Sequence, residues 1–499
     1  MFDRKPAAPP VRSLAILPFL AADHRRELLP LAQGLPLELC HALSGTPGLR
    51  LASPGATARF AGLVDDPVEV GAGLHVEAVL VGTLRGAVDE ARLEWSLVDV
   101  ASAQTLDADR LAAAPADLIA CLDVLLTRVA SALDVRPDPQ ALSLSLGTTC
   151  AEALGACLTA RFEFARQTEA ALERAEAGFE RAIELDPEYL GAHVGLHDTG
   201  RALRRFWKRP DAARIAHGDA LLARIRELDP SGQRLDWERL LPDEDDLEFW
   251  DIAGHEARRR EAVRRNRVDL ATGRSARHAY ADLLSESGLF RGALDYLLLC
   301  ESEELPDAHL WSLIGHTHAV MGDLERAEAR LREALEIDPF FVLGATYLIA
   351  VLDRRGRHDE ARAELDRISD DLGPTLTRAV RMGNLHWRGA RAELATLVAE
   401  LEADPDLPGF FKGMGRLMLG EDDRAIDWFE AACRGKDTFL RQIREKVPFY
   451  LGEGPWNRLM ALQRFRILLR AMNLDDRWRE EHLRRANLLT PFTGIVVRG

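Results

Sequence analysis

Lysine, aromatic residues and long apolar runs are all scarce in this chain of 499 residues. Only five lysines occur, so arginine supplies nearly all of the positive charge, and the formal net charge is −16. A protein that binds duplex nucleic acid normally carries a basic balance. An acidic chain of this kind would be repelled by a phosphate backbone, and we therefore expect no direct nucleic-acid partner.

Segments that could target the chain to a membrane are also missing from the sequence. The longest apolar run, Phe340–Leu352, has thirteen residues, whereas a helix needs roughly 20 to span a bilayer. The N-terminus has no convincing signal core. The six cysteines form no CxxC pair, which is typical of reduced thiols inside a cell. We therefore predict a cytoplasmic protein without a membrane partner.

Catalytic signatures are absent as well. No P-loop, HExxH or GxSxG pattern occurs, and the Gly-Lys of Cys433–Thr438 has Glu430 where a P-loop needs its first glycine. His193 and His197 have the i,i+4 spacing of metal ligands and could bind an ion together with Asp198, but in a repeat frame they occupy packing positions. We predict no catalytic residue, no metal site and no cofactor, and hence a protein that is not an enzyme.

One helix-like stretch is written twice. Leu324–Pro339 and Leu172–Pro187 are identical at ten of sixteen positions and lie 152 residues apart. Both end in an apolar residue followed by Asp-Pro, a pattern that recurs at 228–230 and, with alanine, at 403–405. Measured against a period of about 34 residues, the two stretches are separated by about four repeats with short insertions.

The clearest single unit is Ala308–Phe341. Counted from Ala308, Gly315 falls at position 8, Ala327 at position 20 and Pro339 at position 32. Small residues at 8 and 20 allow two helices to pack closely, and the proline cannot extend the second helix. The unit resembles the tetratricopeptide repeat, although His318 replaces the usual tyrosine at position 11.

We predict about seven or eight such units between residues 150 and 445, because one unit cannot bury its apolar face without neighbours. The resemblance to tetratricopeptide arrays implies a concave groove lined by positions 2, 5, 9, 12 and 13 of each first helix. Ser312 and His316 stand at 5 and 9, which argues against a carboxylate clamp. The predicted groove residues are His278, Asp282, Ser285, Glu286, His309, Ser312, His316, Thr346, Asp353 and Arg354. Their polar to mildly acidic character favours a neutral or basic protein or peptide segment as the partner.

Residues 13–136 have a different pattern. Short apolar strands at 12–19 and 48–53 flank a helical stretch at 31–45, and alternating strands at 76–85 and 91–100 precede an amphipathic helix at 116–133. The predicted order is β-α-β-(α)-β-β-β-α, with "QTLDADRL" as the additional strand. This order describes a small α/β domain.

The same region resembles the TolB-like domain that precedes tetratricopeptide arrays in bacterial regulatory proteins. The resemblance is carried by "LAILPF", "QGLPLELCHALSGTPGLRL", "AVLVGTLR" and "RLEWSLVDVASAQTL", and at the other end by "FYLGEGPWNRLMALQRFRILLRAMNL". A tryptophan that often follows in family members is replaced by "DADR". Such relatives are usually fused to an output domain, for which the roughly twelve residues before the first strand leave no room.

The expected chain is thus mainly α, with a tetratricopeptide-type α-solenoid behind a small α/β domain. We predict a flexible tail at 1–12, the TolB-like domain at 13–136, a linker at 137–149, the array at 150–445 and a helical cap and tail at 446–499. The first functional hypothesis is a non-enzymatic scaffold that binds a protein through its groove. The alternative is a signalling or transcription-related regulator whose α/β domain senses a small molecule and whose repeats relay that state to a separate output protein.

Overall fold

A computed structural model describes the chain from residue 11 to residue 476. The ranges outside the description within this span are 23–24, 44–45, 59, 61–65, 138–146, 166–168, 207–211, 230–249, 251, 265–275, 304, 306, 340 and 406. Most of the predicted N-terminal tail and linker, and residues 477–499 of the predicted C-terminal region, therefore lie outside the described residues.

The N-terminal part is built on a six-stranded sheet with the order β3-β1-β4-β5-β6, in which β2 also pairs with β4. β1 runs parallel to β3 and β4, whereas β4, β5 and β6 form an antiparallel meander. The strands are β1 (Ser13–Ile16), β2 (Leu20–Ala21), β3 (Arg50–Leu51), β4 (Ala78–Arg85), β5 (Arg92–Asp99) and β6 (Thr105–Ala112).

Four helices cover the two faces of this sheet. They are α1 (Leu29–Leu43), α2 (Pro54–Ala58), α3 (Pro67–Gly73) and α4 (Leu118–Ala132). α1 and α4 share a core with alternate residues of β5, including Leu93 and Leu97, as expected for a strand with one face turned to the helices. On the opposite face α3 approaches closely at Gly71, where an added Cβ would lie 2.3 Å from Val100 Cγ2.

The remainder of the chain is an α-solenoid of the tetratricopeptide type, as predicted. Its helices are α5 (Ala151–Ala165), α6 (Glu169–Leu185), α7 (Leu190–Phe206), α8 (Ala212–Leu228), α9 (Ile252–Arg264), α10 (Ala276–Glu286), α11 (Phe290–Glu303), α12 (Ala308–Val320), α13 (Leu324–Ile337), α14 (Val342–Arg354), α15 (His358–Trp387), α16 (Arg391–Ala403), α17 (Gly409–Met418) and α18 (Asp422–Arg434). α15 comprises two helices joined at a kink, where Gly373 has φ 73° and Pro374 follows.

The unit α12–α13 shows how the sequence builds one repeat. Asp307 and Asp323 cap the two helices by accepting hydrogen bonds from Leu310 N and Arg326 N. Gly315 is required at the crossing, because an added Cβ would lie 2.8 Å from Leu331 Cγ. The second helix then ends before the predicted Asp-Pro stop.

The described part of the chain ends with a 3₁₀ turn at Thr438–Gln442 and the helices α19 (Ile443–Leu451), α20 (Glu453–Ala461) and α21 (Gln463–Ala471). α19 does not continue the outer row of helices; it packs against α10, α12 and α14, the first helices of three units. Ile443 and Val447 join the core of the C-terminal repeats, whereas Phe449 joins the core of the central repeats. α19 therefore has apolar neighbours on two sides.

A search of the described helices for one both long and apolar enough to cross a membrane finds none.

Candidate functional site

The predicted groove is filled by the chain itself. Residues 438–451, here called the groove segment, lie along α10, α12 and α14. Seven of the ten predicted groove residues are buried, and three are half-buried. The buried ones are His278, Ser285, Glu286, Ser312, His316, Thr346 and Asp353, and the half-buried ones are Asp282, His309 and Arg354.

Glu286 contacts the first part of the groove segment through its side-chain carboxylate. Gln442 Nε2 donates to Glu286 Oε1 at 3.1 Å, and Arg441 Nη2 lies 3.4 Å from Glu286 Oε2. The side chains of Arg441 and Glu286 are only 6% and 8% exposed. A buried carboxylate needs such partners because isolated charge is costly away from water.

Lys446 occupies the middle of the groove. Its Nζ donates to Tyr347 Oη at 3.1 Å, lies 3.0 Å from Glu445 Oε1 and stands 4.8 Å from the centre of the Tyr347 ring. Burial by itself lowers the pKa of Lys446, but Glu445 and Tyr347 outweigh burial and raise it above the ordinary value. Burial raises the pKa of Glu445, and Lys446 opposes that rise. Lys446 is therefore held as a buried cation.

An aromatic cluster closes around the same point. The His316 ring lies 4.3 Å from the Phe449 ring and 4.5 Å from the Tyr347 ring, measured between centroids. Burial, and then the positive charges of Lys446 and Arg354, hold the pKa of His316 well below its usual range. His316 is therefore neutral at pH 7. Arg354 Nη1 donates to the carbonyl oxygen of Phe449 at 3.0 Å, which fixes the end of α19.

Two predicted groove residues serve other contacts. Asp353 Oδ1 accepts from Asn384 Nδ2 at 2.7 Å and lies 3.0 Å from His358 Nδ1, so it joins its own unit to the next one. The Thr346 hydroxyl donates to the carbonyl oxygen of Val342 at 2.9 Å, within α14. The groove positions of the repeat frame thus include residues that hold the array together.

The residues that the sequence prediction missed are on the groove segment and beside it, namely Tyr347, Arg441, Glu445, Lys446 and Phe449. One feature of the sequence could have indicated that the groove segment is buried. Lys446 is one of only five lysines, and it stands between Glu445 and the apolar run "VPFYL", where a solvated charge would be out of place.

A second arrangement lies at the starts of α10 and α12. His278, Asp307 and His309 each place a ligand atom within 4.8 Å of the others, and among the described residues this is the group whose spacing suits a metal ion. The two imidazole rings are stacked, with centroids 5.8 Å apart and planes at 28°. In the other histidine pair, His193 Nε2 lies 3.0 Å from the carbonyl oxygen of Pro187, and His197 Nδ1 lies 3.5 Å from Asp198 Oδ1.

Comparison with known proteins identifies one unit directly. Residues 308–341 match the family model described as the tetratricopeptide repeat. This match confirms the unit predicted from Gly315, Ala327 and Pro339. A search of curated protein sequences finds no significant match to the chain.

Solved structures match much of the chain, but at low similarity. A tetratricopeptide repeat protein from Parabacteroides merdae is 15% identical, with 58% of this chain and 98% of that chain covered and a TM-score of 0.28. The human IFIT1 dimer with PPP-AAAA is 16% identical, with coverage of 74% and 84% and a TM-score of 0.36. The family match identifies residues 308–341 as a tetratricopeptide repeat.

Proposed function

We propose that this protein is a non-enzymatic scaffold that binds a protein partner through the groove of its array. The observation that supports the proposal is the groove segment itself. Glu286 binds Arg441 and Gln442, Tyr347 binds Lys446, and the His316 ring lies against the Phe449 ring. A groove with this chemistry suits a helical segment that carries cations and an aromatic residue, in line with the neutral or basic partner expected from the sequence.

A partner of this kind competes with the groove segment. Because the groove segment is tethered to the array, its effective concentration is on the order of millimolar. A partner in trans therefore binds well only when it offers better contacts or when the groove segment is weakened. The same competition makes the proposal testable with a probe of known sequence.

The test uses a fluorescent peptide spanning residues 438–451 and the full chain, with binding followed by anisotropy. The intact chain should bind the peptide weakly, because its own groove segment already occupies the groove. Lys446→Met keeps most of the side-chain volume but removes the contact with Tyr347, so this variant should bind the peptide at least about tenfold more tightly, which corresponds to about 1.4 kcal/mol.

Charge reversal on the array provides the specificity control. Adding Glu286→Lys to Lys446→Met should abolish the gain, because the reversed charge repels Arg441 of the peptide. Adding Glu325→Lys, at an exposed position on the outer helix α13, should preserve it. Failure of all three variants to bind the peptide while circular dichroism shows folded helices would overturn the proposal.

A second candidate, a regulator whose α/β domain senses a small molecule and whose array relays the state, is favoured by the contact between the two parts. Arg161 Nη1 on α5 lies 3.1 Å from Glu38 Oε2 on α1, and Glu38 is only 2% exposed. At Gly34 an added Cβ would lie 2.7 Å from Leu158 Cβ. A shift of α1 would therefore displace α5, the first helix of the array.

The TolB-like resemblance supports a bacterial, cytoplasmic setting for this second candidate. It predicts that at least one small molecule from a metabolite library raises the melting temperature of the full chain, and that Glu38→Gln reduces the rise. A library that leaves the melting temperature unchanged would count against sensing and would leave the scaffold proposal standing.

A further inference from the structure

The stacking of two consecutive repeats brings three metal-binding groups together. His278 lies near the start of α10 and His309 near the start of α12, and Asp307 caps α12. Their ligand atoms all lie within 4.8 Å of one another. His278 and Asp307 are 29 positions apart in the sequence. It is therefore the packing of the two helices that brings these groups together.

The donor set is one that divalent transition ions prefer. Neutral imidazole nitrogens and a carboxylate oxygen bind zinc at about 2.0–2.2 Å, and a site with three protein ligands leaves a fourth position for water. Hard cations such as magnesium and calcium favour oxygen ligands instead. Two imidazoles and one carboxylate therefore point to zinc rather than to these ions.

The three ligand atoms need to move only slightly closer together to bind zinc. Tetrahedral zinc with these bond lengths places its ligand atoms about 3.4 Å apart, so separations within 4.8 Å need to contract by no more than about 1.4 Å. Side-chain torsions of histidine and aspartate cover such a change. Asp307 can keep its cap, because Oδ1 accepts from Leu310 N at 2.9 Å and the carboxylate has a second oxygen for the metal.

The location of these groups at helix N-termini affects the electrostatic free energy of binding a cation. Two helix N-termini, with their positive dipole ends, oppose a cation here. The carboxylate of Asp307 offsets that opposition, which makes it the ligand on which a net attraction depends. His278 is 3% exposed, whereas Asp307 and His309 are half-buried, so an ion could enter from the Asp307 side.

We propose that His278, Asp307 and His309 form a zinc-binding site. The bound ion would cross-link α10 to α12 and so stiffen the array between two consecutive repeats. This proposal does not depend on the groove proposal, which rests on the contacts of Glu286, Tyr347 and His316 with the groove segment.

The test is a zinc titration of the untagged, chelator-treated full chain at pH 7.5, with bound metal measured by mass spectrometry and affinity by calorimetry. We expect one zinc per chain and a rise in melting temperature on binding. His278→Gln, His309→Gln and Asp307→Asn should each weaken binding by at least about tenfold, because even outer-shell substitutions at metal sites cost 10–100-fold. Asn still caps a helix, so the third variant removes the charge and keeps the fold.

His318→Gln, on the same helix α12, is the matched control and should bind zinc like the unmodified chain. Circular dichroism without zinc separates loss of the site from loss of the fold. The proposal is overturned if the chain binds no zinc, or if the three ligand variants retain the affinity of the control.

Discussion

Lys446 and Glu328 are two buried charges with opposite surroundings. Lys446, 7% exposed, lies in the groove between a carboxylate and aromatic rings. Glu328, 6% exposed, lies on the outer helix α13 and accepts hydrogen bonds from Arg332, Arg355 and Arg357. Both charges are partnered, but the partners of Lys446 are buried, whereas the arginines around Glu328 are 34% to 44% exposed.

The comparison shows that solvent access to the partners decides what a buried charge contributes. An arginine that reaches water loses little when its carboxylate is removed. A buried carboxylate that loses its cation remains in a medium where its charge is costly. The groove should therefore be more sensitive to single substitutions than the outer face.

The largest effect is expected for Lys446→Ala. Removing the cation leaves Glu445 buried without its partner, and breaking a buried pair in this way costs about 3–5 kcal/mol. The measurement is the free energy of unfolding from urea titration followed by circular dichroism. Lys436→Ala, at an exposed lysine ten residues earlier, should change it by less than about 0.5 kcal/mol. Equal losses in the two variants would remove the distinction between groove and surface.

A smaller loss, about 2 kcal/mol, is expected for Glu328→Gln. Burial by itself raises the pKa of Glu328, but hydrogen bonds from Arg332 and Arg357 outweigh it and bring the pKa below its ordinary value. The stabilisation is then present above the unfolded pKa and disappears as pH falls through the folded pKa. Urea titrations at pH 7 and at pH 3 should show the difference shrinking. Glu325→Gln, exposed on the same helix, should show neither effect, and a loss as large as that of Glu328→Gln would contradict the assignment.

The smallest effect is expected from the pH dependence contributed by His316. Its pKa is depressed by burial and by Lys446 and Arg354, so below about pH 6.5 the unfolded chain binds a proton that the folded chain does not. Stability is therefore complete above the unfolded pKa and falls by up to about 1.4 kcal/mol per pH unit below it. His316→Gln should flatten this slope between pH 6.5 and 5.5, whereas His217→Gln, at an exposed position, should leave it. A slope unchanged in His316→Gln would refute a buried neutral imidazole.

The fold was predictable where local residue patterns decide it. Pro339 marks a helix end through the chemistry of its own position, and Gly315 marks the close helix crossing. In the α/β domain, alternation predicted strands at 76–85 and 91–100, and the structure has β4 at Ala78–Arg85 and β5 at Arg92–Asp99. The short helix α2, with only five residues, had too little periodicity to be recognised.

The candidate site was predictable only on one side. The repeat frame identified Glu286 and His316 as residues that face the groove, because a repeat fixes which helix positions point inward. It could not supply their partners. Lys446 is 99 residues from Tyr347, and Gln442 is 156 residues from Glu286. No local pattern records contacts across such distances.

The sequence by itself determined the repeat, its helix boundaries and the polar character of the groove, because these depend on residues within one unit of about 34. Only the tertiary structure decided what the groove holds and which groups meet at its edge. Packing of the groove segment against α10, α12 and α14 placed Lys446 beside Tyr347, and stacking of two units placed His278 beside Asp307 and His309. The physical reason is that packing between distant segments depends on the shape of the whole solenoid.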